Sequence, residues 1–198
     1  MGKREANELA TRNKLIQVAD HLIAQNGYEA TSVESITRAA GIAKGTFYNY
    51  FKRKEDIYAA FFQLHFGKFN ERAVTFTRQG NLESIATYLL DFCHIVMQCG
   101  VVRFRSWVRY NYVSVEENPL TSKWAYDVIS LQKLLQGLIA QQILIETTPI
   151  EALASQLMAQ LYGFLFIWSI EKNFDPQQAL QDFCMQSLPS ILAPYVRK

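Results

Sequence analysis

The 198-residue sequence contains few of the residues that mark disulfide-stapled or turn-rich proteins. Its three cysteines, Cys93, Cys99 and Cys184, form no CxxC pair, which argues against a disulfide framework or a zinc finger and favours a reduced, cytoplasmic location. There are only five prolines and nine glycines. Because all-β folds need many turns, this scarcity predicts an all-α protein with long helices.

Signals for secretion, membrane insertion and catalysis are also missing. Residues 1–13 are polar and mixed in charge, so we expect no signal peptide. The most apolar run, residues 157–170, is interrupted by Gln160 and is too short to span a bilayer, so no membrane contact is expected. The three histidines show no metal-ligand spacing, and there is no P-loop or GxGxxG motif. We therefore expect no metal, no cofactor and no enzymatic activity.

The charge of the chain is uneven along its length. Residues 1–54 carry nine basic and five acidic side chains, a net charge of +4, whereas residues 55–198 carry 11 and 13, a net charge of −2. A basic amino-terminal quarter on a near-neutral body indicates a local contact with a polyanion. We therefore predict two domains, residues 1–54 and residues 55–198.

Turn and capping signals divide the amino-terminal domain into three helices. The first ends at Asn26-Gly27, and a capping box from Thr31 to Glu34 begins the second. Gly41 ends that helix, and a third runs from about Lys44 to Phe51. Two short helices joined by residues 40–43 form a helix-turn-helix.

The third helix has one apolar face and one polar face. Because each residue advances about 100° around the axis, Phe47 and Phe51 share the face that must point into the core. The opposite face is small, polar and without carboxylates, which suits base edges and phosphates in a major groove. It comprises Gly45, Thr46 and Asn49, with Tyr48 and Tyr50 beside it and cations at both ends: Lys44, Lys52, Arg53 and Lys54.

The rest of the chain has the periodicity of a helical bundle. A long helix over about residues 55–76 is apolar on two sides, so we expect it to connect the two domains and to act as the only covalent lever between them. Further helices are predicted over residues 82–98, 101–113, 120–145 and 149–173. A last helix is expected to begin at Asp175-Pro176 and to carry Phe183 and Leu188.

Two stretches resemble the DNA-binding domain of TetR-family transcriptional regulators. They are Gly27-Tyr-Glu-Ala-Thr-Ser-Val-Glu-Ser-Ile36 and Ala40-Gly-Ile-Ala-Lys-Gly-Thr-Phe-Tyr-Asn-Tyr-Phe51, followed by Lys54-Glu55, within a similarity from about Lys14 to Phe61. The resemblance implies an all-α homodimer that binds operator DNA through its amino-terminal domain. It also implies a carboxy-terminal helical bundle for dimerisation and for binding a small molecule.

The resemblance also assigns contacts to individual residues. Tyr48 and Lys54 would hold phosphates, and Thr46 and Asn49 would read or approach bases, although a phosphate contact is an equal alternative for Asn49. Ser32 would touch a phosphate or serve only as a helix cap. The full set of implied DNA contacts is Ser32, Lys44, Gly45, Thr46, Tyr48, Asn49, Tyr50 and Lys54.

Large side chains in the body suggest an effector pocket and a dimer interface. Aromatic residues interleaved with polar groups predict a pocket for an apolar or aromatic effector, contacting Phe62, Phe66, His94, Phe104, Trp107 and Tyr110. Together with the resemblance, this implies a repressor that the effector releases from its operator. Two apolar stripes predict a four-helix dimer interface containing Leu157, Leu161, Phe164, Leu165, Trp168, Phe183 and Leu188. The alternative is a body with a filled core that serves only for dimerisation or for binding a partner protein.

Overall fold

A computed structural model describes residues 2–57, 60, 81–113 and 123–197, without the side chains of residues 3, 110–113 and 123. Within these ranges there is no β-strand, which confirms the all-α prediction. The helices are α1 Lys3–Asn26, α2 Val33–Ala40, α3 Lys44–Tyr50, α4 Glu83–Cys99, α5 Val101–Val113, α6 Lys123–Ala140, α7 Ile150–Ile170, α8 Pro176–Gln186 and α9 Leu188–Leu192, with a 3₁₀ turn at Ala193–Tyr195. The predicted connecting helix over residues 55–76 lies mostly outside the described residues.

The chain forms two compact units. The first comprises Met1–Gly67 and Val102–Ser114, and the second comprises Lys68–Val101 and Val115–Lys198. Helices α1, α2 and α3 therefore share a unit with nearly all of α5, although α5 lies beyond the predicted boundary at residue 54. The division at residue 54 remains a prediction about which part of the chain binds DNA and which part binds a ligand and a second subunit.

The core of the first unit is small and continuous. Leu15, Ile36 and Phe47 are fully buried, so α1, α2 and α3 each contribute a large side chain to it. Two glycines end the helices that lead into α3. The φ angles of Gly27 and Gly41 are 78° and 64°, conformations that glycine adopts at little cost. We call α1, α2 and α3 together the reading head.

The cap of α2 lies one residue later than the sequence predicts. Ser32, not Thr31, is the N-cap: its hydroxyl accepts a hydrogen bond from the backbone N–H of Ser35 at 3.0 Å. The Ser35 hydroxyl in turn accepts one from the Ser32 N–H at 2.9 Å. Thr31 is buried, and its hydroxyl donates a hydrogen bond to the Gly27 carbonyl at 2.9 Å.

The second unit packs α4, α6 and α7 around a leucine-rich core. Leu89, Leu131 and Leu161 are fully buried and represent the three helices. Asp175 caps α8 as predicted, because its carboxylate accepts hydrogen bonds from the next two backbone N–H groups of the helix at 2.9 and 3.1 Å. The predicted last helix is broken at Ser187 into α8 and α9. Pro189 explains the break, since it has no N–H to continue the helical hydrogen bonds.

Candidate nucleic-acid interface

Helix α3 buries its aromatic side and exposes its polar side. Phe47 is completely buried and Phe51 nearly so. Lys44, Gly45 and Asn49 are exposed, and Tyr48 is 49% exposed with its ring packed edge-on against Phe47 at 5.3 Å. Thr46 and Tyr50 are partly exposed. The structure therefore brings six of the sequence-predicted DNA contacts together on one short helix.

Gly45 leaves open space at the start of this helix. A Cβ added there would meet no heavy atom of the described residues within 4 Å, apart from its chain neighbours and the backbone of its own helix. Its backbone also does not have the positive φ angle that reserves a position for glycine. Nothing within the described protein therefore requires glycine at this position, which is consistent with close approach by an external group.

Ser32 is exposed and acts as the helix cap described above. Its hydroxyl lies at the amino-terminal end of α2, where backbone N–H groups and the helix dipole favour an anion. The cap and the phosphate contact are therefore compatible roles. The sequence had posed them as alternatives.

Lys54 is held by the loop that precedes α2. Its ammonium donates a hydrogen bond to the Tyr28 carbonyl at 2.9 Å and lies 3.7 Å from the centre of the Tyr28 ring. Partial burial lowers the pKa of Lys54, and Arg109 acts in the same direction, whereas Glu29 and Glu55 oppose the shift. The Tyr28 hydroxyl donates to Glu55 at 2.6 Å. Lys54 therefore has a structural role beside any phosphate contact, which its position in the sequence did not indicate.

The structure describes the side chains of three of the six predicted effector contacts. Phe104 and Trp107 are buried in the first unit, with ring centroids 5.5 Å apart in a stacked arrangement. His94 is exposed on α4 and shares a 2.8 Å hydrogen bond with Gln98, so it does not line a buried pocket in its own unit. Phe62, Phe66 and the side chain of Tyr110 lie outside the described residues.

The second unit contains a buried polar centre that the sequence only hinted at. Asp127 is fully buried on α6 and accepts a 2.6 Å hydrogen bond from the Tyr162 hydroxyl on α7. Burial raises the pKa of Tyr162 well above its ordinary value, and Asp127 adds to the rise. Phe92 and Trp124 flank the Tyr162 ring, with centroids 6.1 and 5.6 Å away. An aspartate among aromatic residues was the available signal, but the sequence does not show which tyrosine faces it.

In the described part of the chain, no group of three or more His, Cys, Asp or Glu side chains could hold a metal.

Several of the residues predicted for the dimer interface are buried within their own unit. Four of the predicted interface residues belong to the core of their own unit, because they are at most 3% exposed: Leu157, Leu161, Leu165 and Leu188. The periodicity of α7 identified its apolar residues correctly but not which of them the neighbouring helices cover. Phe164 is partly exposed and packs against Phe174 and Phe183, while Trp168 is also partly exposed.

The exposed side of α7 is mostly apolar or small, with Glu151 and Gln156 as its polar members. The α7 stripe, as we call it, is formed by Ala152, Ala159, Gly163, Phe166, Ile167 and Ile170, all exposed. Phe166 and Ile170 are 50% and 60% exposed. With 21 residues, α7 is also long and apolar enough to cross a membrane by length and composition, whereas the sequence prediction had considered only the shorter apolar run of residues 157–170. A core helix of a protein outside membranes has the same length and composition.

Comparison with known proteins relates these features to a family. Residues 15–61 match the model of bacterial regulatory proteins, tetR family. The fatty acid metabolism regulator protein of Bacillus subtilis is 46% identical over 59 residues, which cover 30% of this chain and 30% of that protein. The transposon Tn10 TetC protein of Escherichia coli is 27% identical over 186 residues, covering 82% of this chain and 94% of its own length.

The fold extends the similarity to the carboxy-terminal half. A solved complex of SmeT with triclosan matches with a TM-score of 0.64 at 19% identity, covering 96% of this chain and 93% of that one. SmeT is the repressor of a multidrug efflux pump in Stenotrophomonas maltophilia. The amino-terminal domain, residues 15–61, is therefore similar to that of bacterial regulatory proteins of the tetR family, and the all-α fold of the chain resembles that of SmeT over nearly its whole length.

Proposed function

We propose that the protein is a repressor that binds a pseudopalindromic operator as a homodimer and leaves it when a small apolar or aromatic effector binds. The observation that carries DNA binding is α3, whose exposed side is polar or basic and has no carboxylate. Such a surface suits hydrogen bonds to base edges and contacts with phosphates. The eight DNA contacts expected from the sequence remain part of this proposal.

The homodimer is supported by the α7 stripe. An apolar face that is exposed on one subunit is stabilised when another protein surface buries it. A second copy of the chain buries it symmetrically when two helices of each subunit form a four-helix bundle. Polar residues interrupt the apolar surface of α7, among them Gln156, which is exposed, and Glu151 near its start. We therefore favour protein over lipid as the covering surface, and a cytoplasmic location.

The effector proposal rests on a solved protein of the same fold and on a buried aromatic pair. SmeT, which shares the fold, was solved with triclosan, an apolar aromatic compound. In this chain Phe104 and Trp107 form a buried stacked pair, and they are the described residues that best suit an aromatic ligand. We propose that the effector contacts this pair together with Phe62, Phe66 and Tyr110.

Selection of duplexes from a random library by the purified protein tests DNA binding. We expect a pseudopalindrome with a fixed half-site spacing, bound by two chains. Triclosan and a panel of aromatic compounds are then titrated into the complex, and at least one should lower operator affinity by about 5–150-fold. Selection of no sequence would disprove the regulator proposal. A selected operator that no compound releases would favour a carboxy-terminal domain that only dimerises or binds a protein.

A further inference from the structure

An arginine of α1 lies against the carboxy-terminal end of α3. The guanidinium carbon of Arg12 is 5.4 Å from the centre of the Phe51 ring, which is within the range of a cation–π contact. Phe51 is 3% exposed and is the residue at which α3 ends, whereas Arg12 is partly exposed. A core side chain therefore holds a cation that solvent can reach at one end of α3.

The guanidinium of Arg12 has its hydrogen-bond donors available. It makes no hydrogen bond and no ion pair with the residues that the structure describes. Glu8, one helical turn earlier on α1, is paired with Arg4 at 3.1 Å. By contrast Arg103, which is also partly buried, donates two hydrogen bonds to Asp20. A guanidinium that stacks on a ring presents its N–H groups at its edge, and this planar array suits a phosphate.

Arg12 continues a row of side chains along α3. Lys44, Tyr48 and Phe51 follow one another at intervals of four and three residues, so they lie along one side of the helix. Lys44 and Tyr48 are exposed and belong to the proposed DNA contacts. At the third position α3 supplies an apolar ring, and Arg12 lies over that ring. A cation from α1 thus stands at the end of the row that α3 itself leaves uncharged.

The length of this row is close to the width of a major groove. Phe51 follows Lys44 by seven positions, which is about 10 Å of helix at about 1.5 Å per residue. A major groove is about 12 Å wide, so cations at the two ends of the row can meet phosphates of the two strands. Lys52, exposed directly after Phe51, adds positive charge at the same end as Arg12.

We propose that Arg12 contacts a DNA phosphate, held by Phe51 at the opposite end of α3 from Lys44. This inference rests on the proposed function, and it adds α1 to an interface that the sequence placed between Ser32 and Lys54. It involves residues of the first unit alone. Because a phosphate contact carries no base information, it contributes to the binding of operator and random DNA alike.

A purely structural role is the alternative, since a cation at the carboxy-terminal end of a helix is favoured by the helix dipole. The salt dependence of DNA binding separates the two roles. The full-length chain is titrated with the operator that the wild type selects and with a random duplex of equal length. Arg12→Gln removes the charge under test. Arg105→Gln is the matched control, because it removes the same charge from an exposed position of the same unit.

We expect Arg12→Gln to weaken binding to both duplexes and to reduce the salt slope by about one. One phosphate contact contributes about 0.9 to that slope, so the defect relative to wild type should shrink about 3.5-fold between about 50 and 200 mM salt. Arg105→Gln should keep the wild-type slope.

Neutral phosphates locate the contact on the DNA. Methylphosphonate replaces the operator phosphates one at a time, which removes a single charge at each position. At the phosphate that Arg12 contacts, wild type should lose affinity and Arg12→Gln should lose little, because its interaction is already absent. If Arg12→Gln melts too early to assay, Arg12→Lys takes its place. Lysine keeps the charge but not the planar array of donors, and its smaller defect should likewise vanish at one phosphate.

Two results would overturn the proposal. One is a wild-type salt slope in Arg12→Gln. The other is a defect of equal size at every neutralised phosphate, which would make Arg12 a determinant of folding at the end of α3. A wild-type chain that binds no duplex would instead refute the proposed function, and this inference with it.

Discussion

In the first unit the side chains left exposed on α3 are polar or basic, whereas in the second unit most of those left exposed on α7 are apolar or small, apart from Glu151 and Gln156. Both helices bury large apolar groups on their other side, Phe47 in α3 and Leu161 in α7. The difference therefore lies in the exposed faces, and it indicates different partners. A polar, carboxylate-free face suits a hydrated polyanion, and an apolar face suits another protein surface.

The surroundings of the two helices also differ in how strongly the hydrogen bonds between their polar side chains are buried. Beside α3, Lys54 and Glu55 hold Tyr28 through contacts that remain partly exposed. Beside α7, Tyr162 donates to a carboxylate, Asp127, that is fully buried. Buried hydrogen bonds fix one packing arrangement, while partly exposed ones weaken with pH and salt. We therefore expect the first unit to respond more strongly to solution conditions.

The largest expected effect comes from placing charge on the α7 stripe. Phe166→Asp combined with Ile170→Asp would put two carboxylates into an apolar interface of two subunits, where burying an unpaired charge is very costly. Sedimentation should give the mass of one chain at micromolar concentration, compared with two for the wild type. Operator affinity should fall by about 100-fold or more, because one reading head contacts only one half-site.

Tyr126→Asp is the matched control for this change. Tyr126 is a similarly exposed aromatic residue in the second unit, on α6 and not on the stripe. The control should remain a dimer. Dimers formed by both variants would show that the α7 stripe is not the subunit interface.

A smaller effect is expected from removing single contacts on α3. Asn49→Ala should cost about 1–3 kcal/mol of operator binding if Asn49 reads a base, and little on a random duplex. Lys44→Ala should weaken both duplexes and reduce the salt slope by about one. Fluorescence titration at several salt concentrations distinguishes a contact with a base from a contact with a phosphate. A uniform loss for Asn49→Ala would assign it to a phosphate.

The reading head could be predicted from the sequence in most of its detail. Helix ends at Gly27 and Gly41, the buried pair Phe47 and Phe51, and the exposed polar side of α3 depend on signals within one helix or its flanking turns. One signal was ambiguous. Thr31 and Ser32 are both good capping residues, and in the structure Ser32 forms the cap while the Thr31 hydroxyl donates to Gly27.

Features that depend on contacts between distant segments could not be predicted. Leu161 and Phe166 are both large, apolar residues of α7, yet the packing of neighbouring helices buries the first and leaves the second exposed. Likewise, the pairing of Arg103 with Asp20 spans 83 positions, and no local pattern selects Arg103 from the other arginines of α5. Periodicity assigns faces to one helix at a time, and tertiary packing decides which face is covered.

A change at Gly45 should affect stability and binding in opposite directions. Gly45→Ala adds a methyl group that meets none of the described residues beyond its own helix and chain neighbours, and alanine favours helix by up to about 1 kcal/mol. We therefore expect a slightly higher melting temperature but weaker operator binding, because the methyl group would stand where the DNA backbone approaches. Ala39→Gly, at an exposed position of α2, is the reverse control and should lower stability only. Unchanged operator affinity in Gly45→Ala would show that the start of α3 does not approach DNA closely.

The smallest expected effect concerns acid stability of the first unit. The Glu55 carboxylate accepts the Tyr28 hydroxyl, and this bond together with Lys54 and Arg53 lowers the pKa of Glu55 below its ordinary value of 4.5, although partial burial opposes the shift. A lowered folded-state pKa contributes stability at a pH above the unfolded-state pKa, and this stability is lost as the pH falls through the folded-state pKa.

Tyr28→Phe removes the hydrogen-bond donor to Glu55, so the free energy of unfolding of this variant should be about 0.5 kcal/mol lower than that of the wild type at pH 7. The value is small because the carboxylate is partly exposed. The difference from wild type should shrink as the pH falls through the lowered folded-state pKa of Glu55, because the carboxyl group then becomes protonated in both proteins. Urea unfolding at pH 7 and at about pH 3.5 measures this, with Tyr48→Phe as an exposed tyrosine control. A difference that stays constant with pH would attribute the effect of Tyr28 to packing instead of to its bond with Glu55.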